Sequence, residues 1–295
     1  MSMKDFSTAT ISESVAPMKA RKRSLSKASG AVPPLVGVLF DMDGTLLKLP
    51  VEIDEARQEL RAFFAARGFE SPFRPLLPEL RRAARHLGGE KWSSIEQQGL
   101  RILDRYEVSA ANAVEWFDGA IDVLAHLDTR RIPFGLVTNN GRAALGHALQ
   151  RIGGPKRFTC ILTRDDVHDP KPAPEGLIKA WRLLGGCRGR VAWIGDGVHD
   201  VEAGRKASSS CPHLVICRLA WGMRQTRDET ASAPSKEGIL TFSSLSDFSS
   251  WIDSELNSLE KERRRCVTED PRRGRKRGNE SRDETPEYPC SGNNQ

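Results

Sequence analysis

Short apolar runs alternate with helical stretches along most of this chain, and that rhythm limits the fold more than any other feature. Runs of strand character fall at residues 36–40, 132–137, 158–162, 191–194 and 213–219. Helical spacing fills the intervals at 120–129, 142–152, 174–184 and 201–207. Strands separated by helices of this length predict βαβ units, hence an α/β fold: a Rossmann-like parallel sheet with helices on both faces. A further run at 238–242, followed by a helical pattern at 246–256, predicts a strand and helix that close the domain.

One interval departs from the rhythm. Between residues 47 and 116 only helical patterns are found. Ile53, Ala56, Leu60, Phe63 and Phe64 share one face, and Leu76, Leu80, Ala83 and Leu87 another. Ser93 and Glu96 have capping-box spacing ahead of Ile95, Leu100 and Leu103. The predicted organisation is a disordered basic tail at 1–34, a core of 35–46 and 117–257, an all-helical cap at 47–116, and a disordered charged tail at 258–295. An insertion over the mouth of a site is a candidate lid.

Charge follows the same division. Six lysines and arginines against two acidic residues put +4 on residues 1–34, and ten against eight put +2 on residues 258–295. None of the formal +6 is left for the folded part, which argues against a nucleic-acid-binding surface there. The basic clusters at 19–23, 263–265 and 272–277 suggest nuclear import, organellar targeting or a nucleic-acid partner, against a simpler reading as solvated disorder. Six cysteines without a CxxC pair predict reduced thiols. No apolar stretch approaches the roughly 18 residues of a membrane span, and the first thirty residues have no signal-peptide core, so a cytoplasmic protein is expected.

Chemistry gathers at the ends of the strand-like runs. Asp41 and Asp43 follow the first, with Gly44 beside them. Thr138, Asn139 and Asn140 follow the second. Lys171 lies in a proline-rich segment after the third, and Gly195-Asp196-Gly197-Val198-His199-Asp200 follows the fourth. In open α/β sheets ligands bind beyond the carboxyl ends of strands. A carboxylate attacking a phosphate dianion needs a divalent cation between the two, and carboxylates at 41 and 196 are hard ligands suited to Mg²⁺. An ammonium and a hydroxyl can face the transferring oxygens, and a second carboxyl can supply the proton to the leaving group.

These four segments together resemble the haloacid dehalogenase superfamily, in its phosphatase branch: Asp-Met-Asp-Gly-Thr-Leu at 41–46, then Thr138, Lys171 and the Gly-Asp-x-x-x-Asp pattern at 195–200. The resemblance covers residues 35–257. It implies Asp41 as nucleophile and Asp43 as general acid and base. Thr138, Asn139 and Lys171 would meet the phosphoryl oxygens. Mg²⁺ would bind Asp41, the Asp43 carbonyl and Asp196, with Asp200 as a further ligand or support. A helical cap after the first motif is implied too. The 33 positions from Thr138 to Lys171 leave no room for a second cap.

The second aspartate favours a phosphatase over a dehalogenase, because halide needs no proton on leaving. The expected function is Mg²⁺-dependent hydrolysis of a small phosphorylated metabolite through an aspartyl-phosphate, with no membrane partner. A phosphomutase, or a non-catalytic scaffold whose tails bind a nuclear or nucleic-acid partner, stands as the alternative. His168 and His199 are read as solvated or packing histidines. Arg74, Arg81, Arg82 and Arg85 form a basic stretch that either faces solvent or binds a substrate carboxylate or second phosphate. Trp92 is the one tryptophan placed to line a cap pocket.

Overall fold

Six parallel strands form the centre of the structure, a computed structural model that describes residues 32–153, 158–221 and 238–268, with main chain alone after residue 258. The strands are β1 (Leu35–Phe40), β4 (Phe134–Val137), β5 (Cys160–Leu162), β6 (Arg190–Gly195), β7 (Leu214–Leu219) and β8 (Leu240–Phe242), in the spatial order β5-β4-β1-β6-β7-β8. The chain leaves β1 for β4 on one side and later returns to β6 on the other. The crevice at this reversal is where an open α/β sheet binds its ligand.

Central strands are buried on both faces, so their residues are apolar in succession. Val38, Leu39 and Phe40 are all fully buried. Alternation sends Val38 and Phe40 to one layer and Leu39 to the other. The first layer is covered by α4 (Ala120–Thr129), α5 (Arg142–Ile152) and α8 (Leu245–Thr268), through Val123, Leu127, Leu145, Phe248 and Ile252. The second is covered by α6 (Glu175–Leu183) and α7 (Val198–Ala207), with Leu177, Ala180 and Ala207 against Trp193.

The insertion consists of α1 (Ile53–Ala65), α2 (Leu76–Gly88) and α3 (Trp92–Ala110), which close on their own apolar cluster of Leu60, Phe64, Phe73, Leu80 and Leu103. Its base is not helical. Strands β2 (Leu47–Lys48) and β3 (Glu115–Trp116) pair antiparallel there, joining the two crossings between cap and core. Two residues per strand are too few to show a period of two in sequence, and the all-helical expectation is corrected at this point. Phe117 N–H continues the pairing to the Leu46 carbonyl at 2.9 Å. The Phe117 ring stacks on Trp221 at 4.5 Å and 13°.

Two local expectations also change. Ser93 does not cap α3, because a short 3₁₀ turn at Gly89–Lys91 runs straight into the helix and starts it at Trp92. Glu96 instead pairs with Arg81 of α2 at 2.7 Å. The C-terminal tail expected from residue 258 begins inside α8, which continues to Thr268. The basic clusters at 19–23 and 272–277 lie outside the described residues, as do the side chains at 263–265. Among the described residues no helix is long and apolar enough to cross a membrane.

Phe248 fastens α8 to the sheet: fully buried, it meets Phe40 edge-on at 6.0 Å, Phe242 at 5.3 Å and Trp251 at 5.6 Å. Phe248→Ala should therefore cost about 3–5 kcal/mol in urea unfolding. A loss under about 1 kcal/mol would mean that α8 contributes little to the core.

Candidate active site

Strand hydrogen bonding reaches one residue past the ends of β1 and β4. Asp41 N–H donates to the Ile194 carbonyl at 2.9 Å, and Thr138 N–H to the Leu162 carbonyl at 2.9 Å. Both side chains thus stand on sheet backbone rather than on free loop. Gly44 lets the chain turn directly after Asp43. Its φ is +83°, and a Cβ there would lie 2.4 Å from Asp196 Oδ2. Trp221 Nε1–H holds the turn by donating to the Gly44 carbonyl at 2.7 Å.

All seven residues expected at the site line one cavity of about 1010 Å³ between sheet and cap: Asp41, Asp43, Thr138, Asn139, Lys171, Asp196 and Asp200. At its floor, Lys171 Nζ donates to Asp41 Oδ1 and, at 2.7 Å, to Asp200 Oδ1. Asp41, Asp196 and Asp200 each offer an oxygen, and these oxygens lie within 4.8 Å of one another. Three carboxylates against one ammonium leave a formal deficit of two positive charges, and the donors are all hard oxygens. That set fits a divalent cation such as Mg²⁺.

Electrostatics within the cluster follow from burial. Desolvation, reinforced by Asp200, pushes Asp41 up to about 8 despite the opposing pull of Lys171. Burial also raises Asp43, to about 6, although Leu49 N–H donates to its Oδ1 at 3.1 Å. Asp196 is raised by burial and by Asp200. Desolvation works against the Lys171 ammonium, but Asp200 and Asp41 outweigh it and hold its pKa above the ordinary lysine value.

The phosphate-facing candidates are tied to one another. Thr138 Oγ1–H donates to Asn140 Oδ1 at 2.8 Å and accepts from Asn140 N–H at 3.1 Å. Asn139 Nδ2 donates to the Lys171 main-chain carbonyl at 2.8 Å, bridging two strand-end loops. Asp200 Oδ2 accepts from Gly197 N–H at 2.9 Å, and its carbonyl accepts from Trp193 Nε1–H at 2.9 Å. His199 is exposed at the cavity wall, while His168 is exposed outside it beside Asp169.

The basic stretch at 74–85 separates into distinct roles. Arg81 donates to the His168 carbonyl and pairs with Glu96, Arg82 pairs with Glu79, and Arg85 lies 3.8 Å from Asp169. Only Arg74 lines the cavity, joined by Arg57, whose place facing the site could not be told from its position on a mixed helix face. Trp92 does not line the cavity and sits instead under Arg85, at 5.5 Å.

A buried network escaped the sequence reading altogether. Arg164 has a side chain only 1% exposed and follows β5. It donates to Glu107 and Asp104 of α3 and, at 3.0 Å, to the Asn139 carbonyl. Glu107 also accepts from Gly141 N–H at 2.9 Å. These bonds fix the cap to the loop after β4. Their only sequence signal was an arginine some 57–60 positions after a glutamate and an aspartate, which no local spacing rule connects.

A family model for haloacid dehalogenase-like hydrolases matches residues 38–211, more than half of the chain. The chain belongs to that family. Among curated proteins it is 34% identical over 182 residues to an N-acetylmuramic acid 6-phosphate phosphatase of Pseudomonas aeruginosa, covering 59% of this chain and 79% of that one. It is 30% identical over 214 residues to a phosphoglycolate phosphatase of Xylella fastidiosa, covering 69% and 88%. A pyrophosphatase of Oceanobacillus iheyensis shares 26% over 196 residues, covering 64% and 85%. The protein is a phosphatase of this family, a phosphoric monoester hydrolase.

Breaking the Arg164 network from one side strands a buried charge. Arg164→Ala should destabilise the fold by about 3–5 kcal/mol. The double variant Arg164→Met/Glu107→Leu should lose markedly less, because neither charge is then left alone. Chemical denaturation of the three proteins checks both statements, and equal losses for single and double variants would contradict them.

Proposed function

We propose that this phosphatase depends on Mg²⁺ and hydrolyses a small phosphorylated metabolite through an aspartyl-phosphate on Asp41. The observation that carries the reading is the gathering of Asp41, Asp196 and Asp200 around Lys171, with Asp43 in the same cavity. The residues fit a bound Mg²⁺, held by Asp41 and Asp196, the Asp43 carbonyl, and Asp200 as ligand or support. Bound there, the ion would neutralise carboxylate and phosphate together, so that two anions can approach.

The chain's own residues would do the rest. An Asp41 oxygen attacks phosphorus, and the bond from phosphorus to the leaving oxygen breaks. Asp43, raised to about 6 by burial, delivers its proton to that oxygen as the alcohol departs. Asp43 then takes a proton from a water that attacks the same phosphorus. The acyl-phosphate P–O bond breaks, releasing inorganic phosphate and freeing Asp41. Lys171, Thr138 and the main-chain N–H groups after β4 face the charge that builds on the phosphoryl oxygens. N-acetylmuramic acid 6-phosphate and phosphoglycolate, named for the relatives, are the first substrates to try.

Asp41→Asn should lower Mg²⁺-dependent turnover of an aryl phosphate by a factor on the order of 10⁴ or more. Asp43→Asn should lower it by about 10²–10⁴. Steady-state assays with and without chelator measure both. Activity retained in Asp41→Asn would refute the assignment of the nucleophile.

Metal binding should also depend on pH in a definite sense. Asp41 is raised from 3.8 to about 8, so below 8 the metal-free cluster holds a proton that Mg²⁺ must displace. The stability this proton brings is complete below pH 3.8 and is lost as pH rises through about 8. Apparent Mg²⁺ affinity should therefore climb between pH 6 and 8, by up to roughly tenfold per unit, then level off. Calorimetric titration in buffers of different ionisation enthalpy reads the proton release. A flat profile over that range would remove Asp41 from the ligand set.

A further inference from the structure

We infer that Trp193 is a positioning residue for the reaction: the face of its ring holds the Lys171 ammonium in place, and its N–H holds Asp200. This rests on the Mg²⁺-dependent phosphatase reading and adds to it a residue that touches neither substrate nor ion. Trp193 is fully buried in β6 and does not line the cavity. Its apolar surroundings, Leu177, Ala180 and Ala207, would be met by any side chain of the right shape. Two properties of an indole go beyond shape, a ring face of negative potential and a single N–H donor, and each meets a member of the acidic cluster.

The ring lies under the ammonium, with Lys171 Nζ 5.1 Å from its centroid. A lysine ammonium within about 6 Å of an aromatic face is attracted by the ring quadrupole, most strongly by tryptophan and most of all where water is excluded. Lys171 is 5% exposed. Its main chain is fixed by Asn139, but a flexible four-carbon stem separates that anchor from the charge. The ammonium itself is held by Asp41 and Asp200. Both carboxylates are also candidate ligands of a divalent cation, which would draw on their charge and repel the ammonium. The attraction of the ring is the one these changes leave intact.

The same indole reaches the cluster from a second side. Trp193 Nε1–H donates to the Asp200 carbonyl at 2.9 Å, in the first turn of α7. The Asp200 side chain is held separately, by Gly197 N–H at 2.9 Å and by Lys171 Nζ at 2.7 Å. Helix α7 rests directly on the indole: a Cβ added at Gly204 would lie 3.2 Å from the Trp193 side chain. One rigid ring, carried on a central strand, therefore sets the separation between Lys171 and Asp200. That separation decides where the Asp200 oxygen stands relative to those of Asp41 and Asp196, which lie within 4.8 Å of it.

Two replacements of nearly the same shape test the inference, each introduced at position 193 alone. A ring-difluorinated tryptophan keeps the N–H and drains the ring face; benzothienylalanine keeps the ring face and has no N–H. The fluorinated protein should bind Mg²⁺ as the wild type does in calorimetric titration, while its kcat for an aryl phosphate at saturating Mg²⁺ falls about threefold or more. The benzothienyl protein should bind Mg²⁺ about three- to tenfold more weakly, through the loss of one buried hydrogen bond that orders a ligand. Trp193→Phe, which removes the N–H and also shrinks the ring, should show that weakening together with a lower midpoint in urea. A residue that only packs would give a fluorinated protein equal to the wild type in kcat and a benzothienyl protein equal to it in Mg²⁺ affinity, and either equality overturns the inference while leaving the phosphatase reading standing. Wild-type protein that neither binds Mg²⁺ nor hydrolyses an aryl phosphate would remove both.

Discussion

Burial of Lys171 between Asp41 and Asp200 is the constraint around which the rest of the molecule is arranged. Carboxylates crowded into a site of low polarity repel one another and lose hydration, and one ammonium cannot compensate all of them. The fold tolerates this because every member is anchored to rigid backbone. Asp41 extends the β1 ladder, Asp200 is held by Gly197 N–H and Trp193, and Lys171 is steadied through Asn139. The residual negative charge is what a divalent cation would meet, so the crowding of carboxylates that the fold tolerates also suits the cluster to hold one.

The cap relates to that cluster through two kinds of contact. At its base a two-stranded ribbon, continued by the Phe117–Trp221 stack, fixes the crossing points next to Gly44. At its far side Arg164 joins α3 to the loop that carries Thr138 and Asn139. Arg81 makes a similar tie from α2 to the segment that leads to Lys171. Cap position and the strand-end loops that carry Thr138, Asn139 and Lys171 are thus mechanically connected, through the Arg164–Glu107 ion pair and hydrogen bonds to main-chain carbonyls, rather than through surface ion pairs of small worth.

Much of the architecture was legible in the chain. Residues 36–40 and 191–194 are apolar without interruption because a central parallel strand is buried on both faces, and that signature survives in any context. Helices α4 and α5 begin and end where the pattern placed them. The two-residue strands β2 and β3 are too short to carry a periodic signal, and Ser93 lost its capping role to a preceding 3₁₀ turn that depends on packing. The arginines of 74–85 could not be sorted from sequence either. Whether a guanidinium faces a cavity, an aspartate or a carbonyl is set by which other helix lies opposite.

By itself the sequence determined the fold class, the order of the strand-end motifs and the kind of chemistry, because those depend on local periodicity and on side-chain types at fixed offsets. Only the tertiary structure decided that Arg164, Glu107 and Asp104 form one network, that Arg57 and Arg74 share a cavity with Asp41, and that Arg81 and Arg85 do not. Such encounters join residues tens of positions apart. They are fixed when the cap closes on its own apolar cluster and docks on the sheet, and short-range spacing carries no record of them.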